Sequence, residues 1–430
     1  MLSFPSPLLR CSVLHSPSRS SLPSCSFKVG PLVRRAQISQ RRNHSSAKHP
    51  PFNIHFFGSD EFSVEVLKSV MDAKELWKSL KVVTTGDKDQ QRTPDLYIPP
   101  LLTFADLHKI ERLVVAPTPL SSSGTKSSAT ESTEAVFSVP DTVLGTGETS
   151  SENLLVVASY GQILPPSLLN LFAPNRRLNV HPSLLPHLRG PSPIQTAIYN
   201  GETETGVSII GVEQKVDTGD IWAQDRCGLY KNDTFAKMKI KLGVLGGRLL
   251  VDVMRKMLMD QAESRPQGEG ATYCRKVNDT WSGVVWEECT ADKLSRIWRA
   301  IGHAHPPKAI FFSKAKIWKT FRMLDVEETR PSKHTRELLQ PGWSTYVDKT
   351  QQMHVRCAGG TEATFKYAHT EGSQKTGSKQ WRNGLPKRIM EFGRGDKSKA
   401  PYLPSPWADA VHPHRAGPSI LSYERTPPGA

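Results

Sequence analysis

The chain has no apolar run near the roughly 18 to 20 residues that a membrane-spanning helix needs, and no membrane partner is expected of it. Cysteine is sparse: Cys11, Cys25, Cys227, Cys274, Cys289 and Cys357 are scattered without a single CxxC pair. Zinc sites and disulfide frameworks need close, paired spacing, so these six read as ordinary reduced thiols and no metal is expected. Neither GxGxxG nor a Walker sequence occurs, which removes the glycine-rich cradles that hold nucleotide phosphates and leaves a nucleotide cofactor weakly supported. Acidic residues are missing altogether before Asp60.

That last absence is informative. Residues 1–50 contain eight Lys or Arg, no Asp or Glu and many serines. This is the composition of a mitochondrial transit peptide, without the long apolar core of a secretory signal. A targeting segment over 1–50 and a mitochondrial (matrix) address are the expectation, with "RRNHSSA" near the point of processing; a disordered basic arm is the bland alternative. The formal charge of +15 is otherwise uneven, since residues 271–430 hold 26 basic against 15 acidic residues while 51–270 are acidic on balance. The 430 residues suffice for two domains and tails. The expected divisions are 51–265, 271–394 and a flexible Pro-rich tail over 395–430.

From Phe52 the texture becomes that of a folded domain. "FNIHFFG" is a short β-rich run closed by Gly58, and a helix capped by Asp60 follows, with Val64, Leu67, Val70 and Leu76 roughly on one face. "KVVTT" (81–85), "RLVVA" (112–116), "NLLVVAS" (153–159) and "RLNVH" (177–181) read as further buried strands. A long helix is expected from Asp233 or Thr234 onward. Strands alternating with helices predict an α/β fold, a doubly wound, mostly parallel sheet. Residues 118–151, dominated by Ser, Thr and Gly, are expected to be a disordered insertion between strands.

The chemistry concentrates in "LNVHPSLLPHLRGPSPIQTAIYNG" (178–201). Residues two apart on a strand share a face, so Asn179 and His181 project together from a strand's carboxyl end, where open parallel sheets bind their ligands. An amide N–H donor beside an imidazole suits an oxygen that gains charge in a tetrahedral intermediate. Asp217 and Asp220 flank the Thr218-Gly219 corner, where a carboxylate could orient the imidazole. A packed loop histidine and a turn-forming aspartate would explain the same letters.

"VVASYGQILP", the 178–210 stretch and "VDTGDI" together resemble the 10-formyltetrahydrofolate-dependent formyltransferases, best in their methionyl-tRNA branch. The resemblance runs through 52–116 and 152–260, and more faintly through 271–390. It implies transfer of a formyl group from 10-formyltetrahydrofolate to the amine of initiator methionyl-tRNA, for initiation of mitochondrial translation. Asn179, His181 and Asp217 fall in the catalytic positions. Ser183, Leu184, Leu185 and Pro186 match the folate-contacting loop, Ile163 and Leu164 match the apolar wall around the pterin, and Arg189 continues toward the acceptor. One departure stands out: where bacterial members carry a basic tRNA-gripping loop, residues 86–100 hold only Lys88 and Arg92 beside three aspartates.

Residues 271–390 suit a small oligonucleotide-binding (OB-like) β-barrel, as the resemblance also implies. A helix with Leu294, Ile297, Trp298 and Ile301 inward precedes short strand-like pieces. "FSKAKIWKTFR" interleaves Lys314, Lys316, Lys319 and Arg322 with Trp318 and Phe321, a mixture fit for neutralising phosphates and stacking on bases. An amphipathic strand with a solvated lysine face is the alternative. Competing functions are a glycinamide-ribotide formyltransferase or formyl-folate hydrolase with the same site, and a non-catalytic RNA-binding module. Oligomeric state is not legible.

Overall fold

The computed structural model describes residues 48–86, 98–115, 151–312, 318–332, 338–385 and 389–392. The expected targeting segment up to residue 47, most of the 86–100 loop, the insertion (except Ser151), Lys314, Lys316 and the tail lie outside the described residues.

In chain order the first half contains β1 (Phe52–Gly58), α1 (Glu61–Asp72), β2 (Trp77–Thr85), α2 (Pro100–Leu107), β3 (Glu111–Val115), β4 (Asn153–Ala158), α3 (Pro166–Leu169), β5 (Arg177–His181), α4 (Pro193–Asn200), β6 (Glu204–Gly211), β7 (Ile221–Gly228) and α5 (Phe235–Leu258). The strands form one sheet in the order β3-β2-β1-β4-β5-β6-β7. β1 to β5 run parallel, and β6 and β7 extend the sheet antiparallel. The strand order reverses between β1 and β4, and the loops that follow those strands diverge there. A doubly wound sheet opens its crevice at that point.

Local chemistry accounts for the elements. β1 is buried on nearly every residue, as a central parallel strand must be. Even His55 is 4% exposed, its ring edge-on to Phe172, and burial with the nearby Lys81 charge pushes its pKa down to about 4. Asp60 caps α1 by accepting the Phe62 and Ser63 amides. β2 starts at Trp77, earlier than its apolar core at 81–85 suggests, because its first turn of chain pairs with Phe52 and Asn53 of β1. Thr234 caps α5 through the Lys237 amide.

The second half begins with α6 (Ala291–Ile301), capped by Thr290. Its buried stripe runs through Leu294, Ile297, Ala300 and Ile301, while Trp298, expected inward, is only half-buried. Then come β8 (Lys308–Phe312), β9 (Trp318–Thr329), β10 (Trp343–Val347), β11 (Gln352–Arg356), β12 (Glu362–Thr370), β13 (Thr376–Gly377), α7 (Ser378–Asn383) and β14 (Ile389–Glu391). They form a curled antiparallel sheet ordered β14-β10-β11-β12-β9-β8. A bridge between Phe311 and Phe392 joins its two ends, making an OB-like barrel around an aromatic core. In that core Phe321 lies 4.8 Å from both Trp381 and Phe392, centroid to centroid.

α5 lies unusually close to its neighbours because glycines line its inner face. A Cβ at Gly247 would stand 2.5 Å from Ser69 Oγ and 3.1 Å from the Val66 Cα of α1, and one at Gly246 would stand 2.6 Å from Val180 of β5. Helix propensity favours alanine over glycine by about 1 kcal/mol, but overpacking a close crossing costs about 1–3 kcal/mol. Gly247→Ala should therefore lower the thermal midpoint measured by circular dichroism; a raised midpoint would show that the crossing has room to spare.

Candidate active site

β5 ends at His181, and its alternation sends Val180 against α5 and the side chains of Asn179 and His181 to the other face. The corner after β6 brings Asp217 up to them. Asn179 Nδ2 donates to Asp217 Oδ1 at 3.3 Å, and His181 Nδ1 stands 3.6 Å from the same oxygen. The other carboxylate oxygen accepts the Gly190 amide at 2.8 Å. The Asp217 and His181 side chains are only 8% and 6% exposed. Asp217 has a φ of +54°, a left-handed conformation that a non-glycine residue holds only when its surroundings enforce it. Asp220, the other aspartate of the corner, is exposed and accepts the Ser264 hydroxyl instead.

The imidazole has defined neighbours on both nitrogens. His181 Nε2 lies 3.0 Å from the Leu188 carbonyl. A carbonyl only accepts, so Nε2 carries the hydrogen of the neutral ring. A second proton would sit on Nδ1, facing Asp217. Asn179 has two amide hydrogens, and one engaged with Asp217 leaves the other for a substrate oxygen. The arrangement can thus donate to a developing oxyanion from Asn179 and seat a proton between His181 and Asp217.

The loop after β5 is scaffolded by the side chains around it. The Ser208 hydroxyl donates to the Ser183 carbonyl and accepts the Leu185 amide. Gln224 Nε2 donates to the Leu185 carbonyl and to Ser208. Thr272 accepts the Leu188 amide and contacts His187, which also reaches Glu202. None of these supporting residues was legible in the sequence; the hydroxyl and amide residues inside β6 and β7 were the available signal.

The other sequence-derived candidates are placed unevenly. Ser183 is buried with its hydroxyl on the His187 carbonyl, Leu185 packs on Ile210 and Ile221, and Leu184 and Pro186 are half-buried. Ile163 is 76% exposed while Leu164 turns into the cluster with Phe57 and Tyr160. Arg189 is bound by Gln267 and lies beside the Tyr273 ring. In the barrel, Lys319 is exposed, but Arg322 is held by Asp279 at 2.7 Å, alongside Lys308. Burial pushes the Asp279 carboxyl up, yet the hydrogen bonds from Lys308 and Arg322 outweigh it and hold the pKa at about 2. Phe321 is wholly buried, so the stacking role suggested for it is corrected: the alternation of β9 turns this ring into the barrel core. Cys274, beneath the loop, is a buried thiol pushed up to about 12 by desolvation and is not a nucleophile at neutral pH.

Among the described residues no cluster of three or more His, Cys, Asp or Glu could hold a metal ion, and no helix is long and apolar enough to cross a membrane.

The formyl transferase family model matches residues 117–254, the segment that contains β5, its loop and the Asp217 corner. The mitochondrial methionyl-tRNA formyltransferase of Homo sapiens is 31% identical over 331 residues, covering 74% of this chain and 75% of the human protein. The methionyl-tRNA formyltransferase of Geobacillus thermodenitrificans is 33% identical over 271 residues, covering 62% of this chain and 76% of its own. Among solved structures, the N-formyltransferase from Helicobacter canadensis has a TM-score of 0.49 at 14% identity, over 73% of this chain and 98% of that one. The chain belongs to the methionyl-tRNA formyltransferase family and is an enzyme that transfers formyl groups.

Proposed function

We propose that the enzyme takes its formyl group from 10-formyltetrahydrofolate and delivers it to the amine of initiator methionyl-tRNA in the mitochondrial matrix, for initiation of translation there. The observation that carries the chemistry is the knot of Asn179, His181 and Asp217 at the carboxyl end of β5. The acceptor amine attacks the formyl carbon and forms the new C–N bond. Asn179 donates to the oxygen as it becomes negative. The amine proton passes through the His181–Asp217 pair, and the folate nitrogen leaves with a proton as its bond to the formyl carbon breaks. Ser183 to Pro186, together with Ile163 and Leu164, form the folate side. Arg189 faces the acceptor.

Residues 51–265 are the catalytic domain in this reading and 271–394 the tRNA-binding domain. The mitochondrial relatives and the acid-free residues 1–50 support the address. The grip on tRNA falls to Lys314, Lys316 and Lys319. Arg322, on the same strand as Lys319, pairs with Asp279.

Asn179→Ala should lower kcat on the order of 100- to 1,000-fold, as for loss of an oxyanion donor, with little change in KM for either substrate; normal turnover would remove Asn179 from the site. Reversing Lys314, Lys316 and Lys319 to Glu should weaken methionyl-tRNA binding. It should also flatten the salt dependence by a slope of about 0.7 to 0.9 for each phosphate left without its cation. Unchanged affinity and slope in a filter-binding titration would mean that the barrel is basic for another reason. Deleting residues 1–47 should leave purified activity intact and abolish import into isolated mitochondria, and import of the truncated chain would refute the targeting assignment.

A further inference from the structure

The chain leaving α5 returns across the face of the site before it enters the barrel. Arg265 pairs with Ile221 through both backbone groups, just beyond the Asp217 corner. Seven residues later the strap pairs again, with the Arg189 amide on the Thr272 carbonyl and the Cys274 amide on the Arg189 carbonyl, each at 2.8 Å. Along this strap residues 263–266 and 268–271 are exposed, and only Gln267 among them turns inward.

Its side chain uses every hydrogen-bonding position an amide has. Gln267 Oε1 accepts from Arg189 Nε at 3.0 Å and from Arg189 Nη2 at 2.6 Å. Gln267 Nε2 donates to the Asp217 carbonyl at 2.9 Å and the Gly219 carbonyl at 2.8 Å. The carbonyls belong to the corner in which Asp217 is left-handed, where a Cβ added at Gly219 would stand 2.0 Å from the Gly211 carbonyl oxygen. A residue outside the catalytic motifs therefore joins the backbone of the carboxylate to the arginine of the facing loop.

We infer that Gln267 is a positioning residue for formyl transfer. Its N–H groups hold the Asp217 corner against His181, and its oxygen aims Arg189 at the acceptor. This rests on the reading of Asp217 and Arg189 given under the proposed function. The two halves of the amide do different work, so they separate by substitution. Gln267→Glu keeps an oxygen pair for Arg189 but has no N–H for the two carbonyls; Gln267→Ala loses both.

The test is steady-state kinetics of the full chain with 10-formyltetrahydrofolate and methionyl-tRNA, with thermal midpoints recorded for each variant. Both substitutions should lower kcat about 10- to 100-fold, the effect of misplacing a catalytic group by about 1 Å. Only Gln267→Ala should also raise KM for methionyl-tRNA, and the thermal midpoints should stay near the parent's because the residues flanking Gln267 are exposed and carry no core packing. Parent-like kcat in Gln267→Glu would overturn the inference, as would equal changes of KM in both variants. If Gln267→Glu does not fold, a parent-like kcat in Gln267→Ala overturns it equally. Asp217→Ala, measured alongside, tells the two failures apart: an active Asp217→Ala sinks the site reading itself, whereas an inactive one beside a normal Gln267→Glu sinks only the role of Gln267.

Discussion

The Asp217 carboxylate is the interaction on which the site depends. One oxygen receives the Asn179 amide and faces His181, and the other receives the Gly190 N–H. The end of β5, the corner before β7 and the loop after β5 therefore meet at a single charge. With its side chain only 8% exposed, that charge is shielded from water, and buried charges persist only where hydrogen bonds replace the lost solvent. The Asp217 backbone at this point is left-handed, with a φ of +54°. Geometry and electrostatics are thus one constraint, and moving the corner would misalign the imidazole and unsatisfy the carboxylate together.

Support for that point comes from two layers. Beneath β5, α5 packs close enough that Val180 is held against Gly246, which fixes the strand that carries Asn179 and His181. Above it, Ser208 and Gln224 hold the loop from Ser183 to Leu185, and Thr272 and His187 hold its far end. Backbone amides and carbonyls that would face water in an ordinary loop are satisfied by side chains, so the loop needs no ligand to keep its shape.

The barrel is not an appendage on a free linker. A single hydrophobic cluster runs from Phe56 and Val180 through Tyr199 and Trp281 to Phe321 and Phe365, with the Tyr199 and Trp281 rings 5.6 Å apart. The strap that bears Thr272 and Gln267 belongs to the same connection. A substrate that engages the barrel and one that engages the catalytic loop therefore meet surfaces held in register by packed side chains.

What the sequence determined by itself was whatever depends on near neighbours along the chain. β5 begins and ends at the residues its apolar pattern marks, Asp60 and Thr234 cap the helices that follow them, and the shared face of Asn179 and His181 follows from the two-residue period of a strand. The order and spacing of the motifs also carried the family. Tertiary structure alone decided which nitrogen of His181 is engaged. It also decided that Phe321 fills a barrel closed by the Phe311–Phe392 bridge instead of stacking on a base, and that Arg322 answers to Asp279. Apart from the His181–Leu188 contact, 7 residues apart, these join residues tens of positions apart, as Arg322 and Asp279 are 43 apart and Asn179 and Asp217 are 38 apart. Local periodicity and capping hold no record of such distances; only the packing of β5, β7 and the returning strap brings those atoms within reach of one another.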